Sequence, residues 1–239
     1  MLKDWSNVII PEEEEINERL EKARNKLVQQ QILIMQKKLP VLVSFDGWGA
    51  AGKGSILGKI IKNIDPRFFK VAVMDKPTED EKRRPFLYRY VINIPEAGKF
   101  TFMDGGCLDE VTKQKLSGKI TDEEYKRKIE SVKRFERQLS DNGYLVIKFF
   151  FHIGEQEQRK RLTRLLDDKN TRWRVSEYDL WQNQHYKKSL KAFDQFIDDT
   201  SQSIAPWYIV DATDKKWVQL QICLLYTSPS PRDMRRSRM

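Results

Sequence analysis

Ile16, Leu20, Ala23, Leu27 and Ile34 recur every three or four positions, which predicts a long amphipathic helix over about 11–38 with one buried face. Pro11 suits the first helical turn, and the glutamates at 12–15 complement the positive end of the helix dipole. After Pro40 the period changes. Val41, Leu42, Val43, Ser44 and Phe45 form a short, almost wholly apolar run, the pattern of a strand covered on both faces. Ile56, Leu57, Ile60, Ile61 and Ile64 return to helical spacing, and Asp65-Pro66 closes that helix. A second strand is expected at 71–74, then a helical stretch over 79–92 that Pro85 interrupts. Phe100, Thr101, Phe102 and Met103 make a third strand that ends at Asp104. Helices follow at 109–116 and 121–142, then a fourth strand at 145–152. A basic helix over 154–168, an aromatic-rich helix over 176–199, a fifth strand at 207–210 and a short helix from 214 complete the pattern. Strand–helix alternation repeated five times predicts an α/β fold: a mostly parallel five-stranded sheet with helices on both faces, in one domain.

The 239 residues can bury a sizeable core without a disulfide or metal staple. No apolar run approaches the ~20 residues of a membrane span, so no membrane association is expected. The start of the chain turns acidic where a signal peptide needs an apolar stretch. Cys107 and Cys223 stand far apart in no metal-ligand pattern, which fits a reducing cytoplasm. The net charge is +9, to which Arg232, Arg235, Arg236 and Arg238 contribute from a Ser/Pro/Arg-rich end. Residues 223–239 break the amphipathic pattern and resemble translated adapter read-through, so they are expected to be a non-native or disordered tail to a domain spanning 1–222. A modest positive field favours anionic partners without choosing among them. No nucleic-acid-binding module accompanies it, so nucleic acid is not an expected partner.

The candidate chemistry lies at 47–55. Gly47, Gly52 and Lys53 satisfy G-x-x-x-x-G-K between an apolar strand and a helix, with Gly49, Ala51, Gly54 and Ser55 completing the loop. Glycines let successive N–H groups turn inward on phosphate oxygens, the helix presents its positive end, and Lys53 adds a mobile charge. Gly54 stands where the motif usually has the Mg²⁺-binding hydroxyl, and Ser55 follows it. Asp104, at the end of an apolar strand, is the candidate Mg²⁺ carboxylate. Arg159, Lys160, Arg161 and Arg164, then Lys169, Arg172 and Arg174, form a basic segment able to stabilise a transferring phosphoryl group or track a polyanion. His152 ends a strand, where its ring is expected to pack or hydrogen-bond.

These segments resemble the family-2 polyphosphate kinases over about 12–222. The resemblance runs through the loop, Lys76-Pro77-Thr78, Tyr88-Arg89-Tyr90, Ile94-Pro95 with Gly98, Phe135-Glu136-Arg137, the strand from Lys148 to Ile153, Arg172-Trp173-Arg174 and Ala205-Pro206-Trp207. It implies a three-layer P-loop fold with a helical lid, about 154–180, over a polyphosphate channel. It further implies phosphoryl transfer between polyphosphate and AMP or ADP, with Lys53 and Asp104 catalytic and Mg²⁺ on Asp104. Arg159, Arg161, Arg164, Arg172 and Arg174 would belong to the lid, and Lys76 and Arg89 would contact substrate.

Two departures stand out. The family's loop has an acidic residue where this chain has Gly49, and its D-R-S-W-Y stretch reads Asp104-Gly105-Gly106-Cys107-Leu108 here. Each lost group typically costs about 10²–10³ in rate. The chain therefore also fits a catalytically impaired polyphosphate-binding half. It looks like the first copy of a tandem polyphosphate:AMP phosphotransferase, pairing with a second copy or as a homo-oligomer. On this reading, Gly49→Asp with Gly105→Arg would raise activity.

Overall fold

The computed structural model describes Leu2 and residues 10–227. Five parallel strands make one sheet in the order β2-β3-β1-β4-β5: β1 Val41–Gly47, β2 Phe69–Val73, β3 Phe100–Asp104, β4 Leu145–His152 and β5 Trp207–Asp211. The pair β1 and β4 at the middle of the sheet is the most buried. β1 and β4 run in register from Val41 opposite Leu145 to Gly47 opposite Phe151. Phe45 stacks on Phe149 with centroids 5.7 Å apart and packs near Phe102 and Phe151, all fully buried. Each such ring contributes about 1.5–3 kcal/mol of burial relative to exposure.

Helices cover both faces. The first, α1 (Glu13–Gln36), buries Ile16, Leu20, Ala23, Leu27, Gln31 and Ile34, the stripe read from the sequence. Pro11 stands before this helix, whose cap is Glu12. It ends in a Schellman turn: Lys38 takes a left-handed φ of 51°, Lys38 N–H donates to Met35 O and Leu39 N–H to Ile34 O. The 79–92 stretch is divided around Pro85 into α3 (Glu79–Lys82) and α4 (Tyr88–Val91). Between them and α1 lies α2 (Lys53–Ile61), directly after the glycine-rich loop. Next come α5 (Cys107–Leu116), α6 (Asp122–Asp141) and α7 (Glu155–Asp167).

The helix expected over 176–199 is two helices, α8 (Glu177–Gln184) and α9 (Tyr186–Thr200), broken at His185 with φ −113° and ψ 37°. Tertiary contacts account for the break. Tyr186 donates to Ile153 O at 2.7 Å and stacks on Trp48 at 4.1 Å, while Phe193, Phe196 and Ile197 of α9 enter the core. The final helix, α10 (Lys215–Thr227), packs on α1, with Leu220 and Cys223 buried beside Ile16, Leu20 and Ala23. Cys223 therefore lies inside the packed helix rather than at the head of a tail. Of the tail expected over 223–239, residues 228–239 lie outside the described residues. None of the described helices is long and apolar enough to cross a membrane.

Candidate phosphate-binding site

The site opens at the carboxyl ends of β1 and β3, where the chain order across the sheet reverses and α/β folds bind their ligands. Gly47 ends β1 with φ 140°, and a Cβ there would lie 2.5 Å from Phe151 O, so only glycine lets the loop leave the sheet. Trp48 then turns inward and is fully buried. Its ring lies between Tyr186 and Phe193, and its indole N–H donates to His152 Nδ1 at 3.3 Å. His152 thus packs and accepts a hydrogen bond, and burial holds its pKa below the usual value. Gly52 caps α2 with φ 90°, without a side-chain cap and with no acid in the first turn. The positive end of α2 is left open to an anion.

Lys53 folds back across this opening, its Nζ donating to Gly47 O at 3.0 Å and Trp48 O at 3.1 Å. Its charge favours ionisation of three carboxyls: Asp46, Asp104 and Asp109. Burial pushes the Asp46 carboxyl up to about 6, although it accepts from Ser44 Oγ at 2.5 Å and from Gly106 N–H at 2.9 Å. Burial also raises Asp104, with Asp75 adding to the rise, and raises Asp109. The Asp104 carboxylate reaches across to α2, where a Cβ on Gly54 would stand 3.1 Å from Oδ2. Lys53 and Asp104 are therefore together at the mouth, with Gly54 between them. Ser55 is exposed on α2.

The basic residues divide into two groups. Arg161 is committed to the backbone: it donates to Ala50 O, Ala51 O, Ala212 O and Thr213 O at 2.7–3.4 Å and pairs with Glu157 at 2.7 Å. It stitches the loop to the turn after β5. Arg159 pairs with Glu155 at 3.0 Å and donates to Asn183 Oδ1 at 3.3 Å. Arg164, Arg172 and Arg174 are exposed, the last over the Trp173 ring at 5.3 Å. Lys76 is exposed beside Asp75. Arg89 is buried, donates to Asp75 O at 2.7 Å and lies 3.7 Å from both Glu81 and Glu110.

Four side chains absent from the sequence-based site belong to it in space. Asp46 sat in the loop segment and Asp109 two residues into a helix, with nothing in their spacing to single them out. Gln158 and Gln182 come from α7 and α8: Gly49 N–H donates to Gln182 Oε1 at 2.9 Å, and Gln158 Nε2 donates to Gly49 O at 3.3 Å. Both are fully buried amides on otherwise polar helices, a signal only the packed structure supplies.

A family model described as Polyphosphate kinase 2 matches residues 11–234, nearly the whole chain. The chain belongs to the polyphosphate kinase 2 family. The Polyphosphate:AMP phosphotransferase of Pseudomonas syringae pv. tomato is 31% identical over 186 residues, 78% of this chain and 37% of that protein. ADP-polyphosphate phosphotransferase 3 of Rhizobium meliloti is 29% identical over 176 residues, 74% of this chain and 62% of that one. The chain thus spans about a third to two thirds of these curated relatives. Among solved structures, a polyphosphate kinase 2 from Pseudomonas aeruginosa PA01 superposes with a TM-score of 0.90 at 24% identity, covering 98% of this chain and 50% of that chain. That likeness carries the fold: the parallel sheet, the loop after β1 and the helices flanking them are those of a polyphosphate kinase 2 domain.

Proposed function

We propose that this domain serves phosphoryl transfer between inorganic polyphosphate and an adenine mono- or diphosphate. The observation that carries the reading is Lys53 folded over an uncapped helix N-terminus, with Asp104 at the same mouth. Relatives named for AMP and ADP supply the substrate class. The loop amides and the α2 terminus would hold a terminal phosphate, and Lys53 would leave Gly47 O and Trp48 O for the phosphate oxygens. The exposed Arg164, Arg172 and Arg174 would follow the polyanion along α7 and the turn after it. Catalysis by positioning and electrostatics needs no covalent intermediate.

Among the described residues no three His, Cys, Asp or Glu side chains gather as a ready-made metal cage. Mg²⁺ does not require one, because it is commonly held by one or two carboxylates with waters and substrate phosphates. Asp104, with Asp75 nearby, fits that donor set. The cation would neutralise charge on the phosphates. Two free cysteines, Cys107 and Cys223, support a cytoplasmic setting. The 37% span of a polyphosphate:AMP phosphotransferase leaves room in such a protein for a second copy of the domain, with which this one would pair.

The test is an assay of ATP and ADP formation from long-chain polyphosphate, Mg²⁺ and AMP or ADP. Lys53→Ala should lower turnover about 100-fold or more, in a chain whose far-UV circular dichroism shows it still folded. Use of ATP as sole donor would overturn the reading.

A further inference from the structure

The helix α8 meets the loop where the loop has no side chain. A Cβ on Gly49 would collide with Asp179 Oδ1 and stand 2.8 Å from its Cγ, so this carboxylate fills the volume a side chain at 49 would need. Its two oxygens are used differently. Oδ2 accepts from Ser176 N–H at 2.8 Å and Ser176 Oγ at 2.7 Å, completing the cap of α8. Oδ1, the oxygen against Gly49, accepts no hydrogen bond among the described residues.

The approach is held in place rather than incidental. Gly49 N–H donates to Gln182 Oε1, one turn along α8 from Asp179, and Gln158 Nε2 bridges Gly49 O and Gln182 Oε1 at 3.3 and 2.8 Å. Asn183 closes the set by donating to Gln158 Oε1 at 3.0 Å and to Glu155 O at 3.1 Å. Four amide and peptide groups therefore fix α8 on the loop, and with it a carboxylate oxygen. Asp179 and Lys53 both act on Asp109, from opposite signs of charge, so Asp179 belongs to the electrostatic surroundings of the mouth.

We propose that Asp179 is a specificity-determining residue of the phosphate site. Through Oδ1 it sets a fixed negative charge on the loop, so the loop takes phosphate chains that carry a divalent cation in preference to bare ones. A bare polyanion meets like charge there. A hydrated cation riding on the chain offers water to the one oxygen without a donor, in keeping with the waters Mg²⁺ retains. The proposal rests on the function above only for the nature of the anion.

The experiment is calorimetric binding of inorganic tripolyphosphate to the full chain, with and without Mg²⁺, for wild type and Asp179→Asn. Asparagine at this N3 position keeps a side-chain oxygen that can accept from Ser176 N–H, so the fold is kept and the thermal midpoint confirms it. Without Mg²⁺ the variant should bind about threefold tighter, and with Mg²⁺ about threefold weaker, the scale of a partly screened charge pair. A capping role alone would leave both affinities alone or move them in one direction, and that result would overturn the proposal. Gly49→Asp combined with Asp179→Ala returns a carboxylate to the same volume from the loop side. The pair should recover the Mg²⁺ preference that Asp179→Ala loses; failure to recover it also overturns the proposal. Opposite shifts in a chain that shows no polyphosphate turnover would reject the proposed reaction and leave this inference standing. Turnover with no opposite shifts would do the reverse.

Discussion

Gly49 and Gly105 look, in the linear sequence, like vacancies in a phosphotransferase site, and their surroundings say otherwise. The space at 49 already holds the Asp179 carboxylate. Gly49→Asp alone would set two carboxylates in one volume, so it should lower turnover and phosphate binding rather than raise them. Gly105 has φ 92°, a left-handed conformation that costs an arginine about 1–2 kcal/mol. Gly105→Arg should therefore lower the urea midpoint, and the gain expected from the two substitutions together should not appear in a steady-state assay. Asp46 makes a pH prediction at the same scale. Burial raises its folded pKa to about 6 from 3.8, so the folded state holds the proton more tightly than the unfolded chain does. Its stabilising contribution is present below about pH 4 and is lost as pH rises through 6. Asp46→Asn keeps the shape and removes the titration. Urea denaturation should show wild type losing about 2–3 kcal/mol relative to that variant between pH 4 and 7, from a two-unit shift at 1.36 kcal/mol each.

Helix α7 and the turn after it hold two kinds of arginine, separated by what they touch. Arg161 donates to four backbone carbonyls that flank the loop and the turn after β5. Arg161→Ala would strand several of these acceptors and should cost about 2–3 kcal/mol in urea denaturation. Arg164 and Arg172 are exposed, and alanine there should leave stability unchanged while raising the KM for polyphosphate about threefold or more. Sequence reasoning placed all of these on one basic segment because it sees charge and spacing, not carbonyl partners. The same limit explains the helix break at His185. α9 is amphipathic while α8 buries the amides Gln182 and Asn183, and the contacts of Tyr186 with Trp48 and Ile153 O, remote in sequence, decide where the axis turns. The strands were legible for the opposite reason. β1 and β4 are buried on both faces, so their apolar runs carry the whole signal without help from neighbours. The loop was legible too, since Gly47, Gly52 and Lys53 answer to local backbone and charge requirements. Asp179 was hidden because Ser176 and Asp179 have the spacing of an ordinary capping box, which by itself points only to a helix start.

Across the whole molecule, α1 and α10 join the two ends of the described chain on one side of the sheet, and α1 carries more apolar surface than this packing covers. Its buried stripe faces the domain through Leu20, Leu27 and Ile34, while Val28, Ile32 and Met35 form a second stripe at i, i+4 and i+7 that is 37–45% exposed. A helix with one apolar face needs one partner, and a helix with two needs another. The chain spans 37% of a related polyphosphate:AMP phosphotransferase and 50% of a structure it superposes on at a TM-score of 0.90. On the pairing proposed above, a second copy of the same fold would cover this stripe. The described chain should then self-associate at micromolar concentrations in sedimentation velocity, one copy standing in for the other. Ile32→Asp should return it to a monomer, since that side chain is 45% exposed and its replacement leaves the domain core untouched. A wild-type chain that stays monomeric at every concentration tested would show that the α1 stripe is no pairing surface. The Asp179 and Lys53 experiments would keep their meaning, because the loop, Asp104 and α8 all come from this one chain.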